Sequence, residues 1–176
     1  RLLLLVRHCH FPRYPLFLFL AYQRGRISRF TWFMFWIGVA LGLTWELTFH
    51  FLGPEYSETP LYLNLTSWPL LPITQPLLHA FWDGGIFLIG LWLVKRLCPA
   101  PQFERFRWRE LVVLLIWGIG SALIVEMVAS GSGWEYLPHW YNPPFFQFNH
   151  ATIYLLPILT WAVASVIYYG IGIWQH

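Results

Sequence analysis

Four stretches of this chain, about 30–52, 73–94, 111–131 and 150–173, run for some twenty residues or more with almost no charge. Crossing ~30 Å of hydrocarbon takes roughly 20 residues of helix, and each stretch meets that length. Only 11% of the residues are charged, against 57% hydrophobic and 20% aromatic. An average globular chain carries about 25% charged residues, so too few remain here to keep a folded surface wet. The expected fold is all-α: a polytopic integral membrane protein with a bundle of four transmembrane helices over residues 30–173. Turn formers bound the runs, with Gly53-Pro54 after the first, Pro99 and Pro101 after the second, Gly131 and Gly133 after the third and Pro143-Pro144 before the fourth.

All eleven Lys and Arg fall into two clusters. Arg1, Arg7, Arg13, Arg24, Arg26 and Arg29 precede the first span, and Lys95, Arg96, Arg105, Arg107 and Arg109 separate the second from the third. The positive-inside rule then puts both termini and the middle loop on the cytoplasmic side, with loops 53–72 and 132–149 on the far side. The sequence pI near 9.0 thus reflects topology, and no nucleic-acid partner is expected, since that would need the charges gathered on one folded face with stacking partners.

Residues 1–29 stand apart from the bundle. The apolar run 2–21 is broken by Arg7, His8, His10, Pro12, Arg13 and Pro15, which suits an interfacial or re-entrant segment. No small-residue cleavage site follows it, which argues against a signal peptide. The first residue is Arg rather than Met, so a further N-terminal piece is expected. Both cysteines, Cys9 and Cys98, fall on the reducing side and imply no disulfide. Asn64-Leu65-Thr66 is a glycosylation triplet in a far-side loop.

The far-side loops are rich in aromatics: Tyr56, Tyr62 and Trp68 in one, Trp134, Tyr136, Trp140, Tyr141, Phe145 and Phe146 in the other. A headgroup-level aromatic belt accounts for them, and so does a lid over a pocket.

At an offset of 80 residues, Arg29 aligns with Arg109, Gly38 with Gly118, Leu43 with Leu123, Glu46 with Glu126, Gly53 with Gly133, Glu55 with Glu135 and Tyr56 with Tyr136. These matches argue for a tandem repeat of a helix pair, related by an axis along the membrane normal. In both copies the glutamate ends a stripe of small residues four apart, Gly38, Gly42, Glu46 and Gly118, Ala122, Glu126. That spacing stays on one helix face and lets backbones approach closely in lipid, so the glutamates are expected to point inward.

Glu46, His50, His79, Asp83, Glu126, Asn149 and His150 all fall between the midplane and the far interface, and none falls in the cytoplasmic half of a span. An isolated charge at the bilayer centre costs at least ~2.5–3.5 kcal/mol, and no Lys or Arg lies at that depth to offset three acids. Their partner must be histidine, a shared proton, a metal ion or a cationic ligand. Glu46 with His50 and His79 with Asp83 sit at i, i+4 and share a face. Glu46, Asp83 and Glu126 are therefore candidate acid/base or ligand-binding groups. With His50, His79 and His150 they also form a candidate ligand set for a transition metal, Fe, Mn, Zn or Cu. A buried hydrogen-bond network that sets helix register is the plainer account of the same residues. Asp83 is followed by Gly84-Gly85, which leaves room for a ligand or a close neighbour.

Three functions follow. Small soluble loops and the lack of any catalytic signature favour an accessory or assembly subunit of a larger membrane complex, with partner subunits or a homo-oligomer and membrane lipids around it. The alternative is a membrane-embedded enzyme or binding protein for a lipid, sterol, isoprenoid or quinone, using the far-side cluster. A small carrier using the glutamate pair is the third, weakened by a cytoplasmic half with no polar path.

Overall fold

The computed structural model describes residues 13–67 and 71–175; Arg1, Arg7, His8, Cys9, His10 and Trp68 lie outside them. In chain order the elements are α1 (Arg13–Gln23), α2 (Arg29–Phe51), β1 (Tyr62–Asn64), α3 (Thr74–Leu97), α4 (Trp108–Ala129), β2 (Trp134–Tyr136), β3 (Pro144–Phe148), β4 (Ala151–Tyr154) and α5 (Leu155–Trp174). The protein is mostly helical (61%), and α2, α3, α4 and α5 are each long and apolar enough to cross a membrane. At ~1.5 Å per residue, the eleven residues of α1 reach about 16 Å, too short to span.

Local chemistry explains several boundaries. Ser28 caps α2 by accepting the Thr31 N–H at 3.1 Å, and Lys95 and Arg96 sit in the last turn of α3, where they offset the helix dipole. Tyr154 offers α5 no side-chain cap. Fully buried Asn142 substitutes for it, accepting the Leu156 N–H on Oδ1 at 3.0 Å. Residues 150–154, expected as the start of the fourth span, are instead a left-handed turn and strand β4, because the Pro143-Pro144 segment folds back as β3 and pairs with it.

The helices pack α2 on α3, α3 on α4, α4 on α5 and α5 back on α2, a closed ring. Its centre is an aromatic column: Phe87 of α3 stacks on Tyr168 (4.5 Å) and Trp161 (5.1 Å) of α5, and Trp161 meets Trp45 of α2 (5.4 Å). The close helix contacts follow the small-residue stripes. A Cβ on Gly38 would lie 3.0 Å from the Gly84 Cα, and one on Gly118 would collide with Ser165 Oγ. Gly84 is thus spent on packing against Phe35 and Val39 rather than on making room for a ligand.

Alternating helix direction gives the ring two unlike ends. Arg24, Arg26, Arg29, Lys95, Arg96, Arg105, Arg107 and Arg109 gather at one. Phe103 closes that basic end: it is 1% exposed, its ring lies against Phe30 (5.5 Å) and Tyr169 (5.7 Å), and a Cβ on Gly172 would sit 2.7 Å from it. Glu110, in the first turn of α4 and fully buried, holds this plug by accepting the Phe103 N–H (3.1 Å) and the Tyr169 hydroxyl (3.2 Å) on Oε2. It is a buried acid at the basic end, outside the far-side cluster.

At the other end, the loops carry two short antiparallel sheets, which the all-α expectation did not include. β1 pairs with β2 in the register Tyr62↔Tyr136, Leu63↔Glu135, Asn64↔Trp134, so the α2–α3 loop and the α4–α5 loop are clipped together. The Leu65 N–H to Gly133 carbonyl bond (3.0 Å) and the contact of His139 Nε2 with the Pro60 carbonyl (3.0 Å) extend the clip.

Candidate functional site

Directly beneath the clipped loops lies a chamber of about 410 Å³, within the range of small-molecule sites. Its polar wall is the α2–α3 seam, where each step of the α2 stripe meets a step on α3. Gly38 faces Gly84, Gly42 faces Asp83, and Glu46 faces His79. Glu46 Oε2 and His79 Nδ1 are 3.1 Å apart. A Cβ on Gly42 would lie 2.7 Å from Asp83 Oδ2, so the glycine makes the space that Asp83 occupies. Asp83 is only 5% exposed, is touched by the Trp45 indole, and leaves Oδ2 without a hydrogen-bond partner. An orphaned buried carboxylate oxygen is costly; this one lies in the seam against Gly42, and the residue that carries it lines the chamber.

Across the chamber, Glu126 is held by its own loop. Ser130 Oγ donates to Oε2 at 2.8 Å and Trp134 Nε1 at 3.3 Å, and the Tyr136 hydroxyl bonds the same carboxyl. Trp45, Ile86 and Trp161 form the floor above the aromatic column, and Tyr62, Trp134 and Tyr136 form the roof. Of the loop aromatics, those three line the chamber, whereas Trp140 (93%), Phe145 (56%) and Tyr56 (54%) stay exposed.

Of the expected site residues, Glu46, His50, His79, Asp83 and Glu126 line this one space. His150 does not, nor does Asn149: both sit exposed in the left-handed turn between β3 and β4 (φ 66° and 46°). The expected i, i+4 partnerships are replaced by a pair across helices, Glu46 with His79, because the stripe brings the two backbones so close. His50 Nε2 is buried without a hydrogen-bond partner, its ring against Phe51 (5.4 Å) and Tyr56 (5.0 Å). Among the described residues, no three His, Cys, Asp or Glu converge on a point where a metal ion would sit.

The roof residues Tyr62 and Tyr136 were legible only as loop aromatics, although Tyr136 closes the repeated Gly-x-Glu-Tyr. Burial, then Glu46, then Glu55, pushes the Tyr62 phenol up to about 12. Burial and Glu126 push Tyr136 up as well. A phenol with a folded pKa above its unfolded value of about 10 contributes stability that is intact below pH ~10 and is lost as pH rises toward ~12. Tyr62→Phe is expected to remove one late-titrating phenol from the 295 nm absorbance titration and to flatten the loss of stability over that window. Loss of the absorbance at about pH 10 instead of about pH 12 would show the phenol to be solvated.

The chain matches no protein-family model, no curated protein and no solved structure.

Proposed function

We propose that this is a multi-pass membrane protein whose chamber takes up an amphiphile such as a lipid, sterol, isoprenoid or quinone, with Glu46, Asp83, Glu126 and His79 as its polar and acid/base contacts. The observation that carries the reading is an aromatic-walled space of about 410 Å³ lined by three acids, Glu46, Asp83 and Glu126, of which Asp83 keeps a buried oxygen without a hydrogen-bond partner. The Glu46–His79 pair beside it is a hydrogen-bonded acid and base, the arrangement proton transfer requires.

The membrane setting draws on the outward faces of α4 and α5, where Ile116, Ile124, Val128, Val163 and Val166 are exposed and hydrocarbon is the fitting solvent. With the basic end cytoplasmic, both termini lie on that side and the chamber opens away from it. The parallel use of Gly38 and Gly118 at helix contacts, each one stripe from its glutamate, favours descent from a duplicated helix pair.

The test is solvent extraction and mass spectrometry of protein purified in mild detergent. Wild type is expected to yield one enriched apolar molecule at near-stoichiometric amount, and Asp83→Asn and Glu46→Gln to purify normally without it. A wild-type preparation with no enriched molecule overturns the reading. The same apolar faces suit a partner subunit, and a heteromeric native mass would instead favour an accessory role.

A further inference from the structure

The charge of the occupant is legible from what surrounds it. Loops 52–73 and 130–154 contain no Lys or Arg, and six of the eight acids lie at their end of the bundle: Glu46, Glu55, Glu58, Asp83, Glu126 and Glu135. Among the described residues, three of these acids line the chamber and no Lys or Arg does. Of the two histidines that face it, His79 is matched to Glu46. The donors on Glu126 are hydroxyls and an indole, which satisfy its oxygens without supplying positive charge. Asp83 is bonded by the Trp45 indole, which likewise brings no positive charge, and its Oδ2 has no hydrogen-bond partner.

Counted along their helices at ~1.5 Å per residue, Glu126, Glu46 and Asp83 stand about 5, 8 and 14 Å below the loop end. Acids staggered over that depth do not converge as a metal site would, and the chamber is far larger than a bare ion. A second cavity of about 450 Å³ shares His50, Tyr62, Asn64 and Gln75 with the first and reaches out to Glu55 and the polar loop 65–67. That gives the chamber a polar, acid-lined approach from the aqueous side.

We propose, resting on the reading that the chamber binds a ligand, that the ligand is an organic cation: an amine or quaternary ammonium on an apolar body, its charge between Asp83 and Glu46 and its body on Trp45, Trp161 and Ile86, reached through the outer cavity. Indole faces attract such cations, and a buried carboxyl without a basic partner is neutralised either by a proton or by a positive charge brought to it, which the acid-only lining favours.

The test uses purified full chain in detergent and two probes of one shape, trimethylphenylammonium and its uncharged isostere tert-butylbenzene. Binding is read by tryptophan fluorescence and melting temperature. The ammonium is expected to bind saturably and at least tenfold more tightly than the isostere. Asp83→Asn should weaken it at least tenfold, whereas Glu135→Gln, exposed on β2 and outside the chamber, should leave it unchanged. If Asp83→Asn does not fold, Glu46→Gln serves in its place, and the probe pair on wild type decides regardless. Equal binding of the two probes overturns the cation and leaves a chamber for neutral ligands. No binding of either probe to a protein that carries an extracted neutral molecule also overturns the cation alone. No binding with nothing extracted overturns the chamber reading itself.

Discussion

Gly84→Leu is expected to leave no monodisperse bundle. A Cβ at that position would lie 2.6 Å from Val39 Cγ2, 2.9 Å from Phe35 Cε2 and 3.1 Å from the Phe35 carbonyl oxygen. The last belongs to backbone and cannot swing away. Leucine adds three more heavy atoms, so α2 and α3 must separate along the seam that also seats Asp83 and the Glu46–His79 pair. Overpacking of this kind costs about 3 kcal/mol, a large share of a marginal total. Gly120→Leu is the control, since nothing lies within 4 Å of its Cβ direction. Size-exclusion profiles and thermal unfolding check both variants. A folded, monodisperse Gly84→Leu protein would show the α2–α3 contact to be looser than described.

Glu110→Ala is expected to destabilise by about 1–3 kcal/mol, because it strands the buried Phe103 N–H, while the Tyr169 hydroxyl loses one contact and keeps the Arg107 carbonyl as acceptor at 3.1 Å. It also frees a residue held at φ 63°, a conformation unfavourable for phenylalanine. Glu104→Gln, exposed in the same loop, should be neutral. Combining Glu110→Ala with Tyr169→Phe should cost less than the two changes added, since both remove one contact. Strict additivity in thermal unfolding would refute the latch.

The helices were legible because hydropathy and length dominate this sequence, and the Gly38–Gly42–Glu46 stripe announced a close seam. What the stripe met was not legible. Asp83 and His79 take their places opposite Gly42 and Glu46 through the register of α2 against α3, which no i, i+4 rule contains. Glu110 was hidden for a different reason: flanked by Arg107 and Arg109, it looks like an ordinary charge in a wet basic loop, and only the fold of that loop over it buries it. His150 misled because an apolar run preceding a span looks the same whether it is helix or strand. The β1–β2 clip joins segments some seventy residues apart, so neither short strand carries a pattern of its own.

The plug at Phe103 closes one end of the bundle. If the chamber binds a ligand, a vestibule sealed at its base and entered through the outer cavity makes a departing occupant and its successor share that approach. A sealed base is also an insulator. Across an energised membrane the voltage would fall mainly over the packed half. A charge resting beside Asp83, about 14 of the ~36 Å along α3, would feel only part of the ~2.3 kcal/mol that 100 mV exerts on a full crossing.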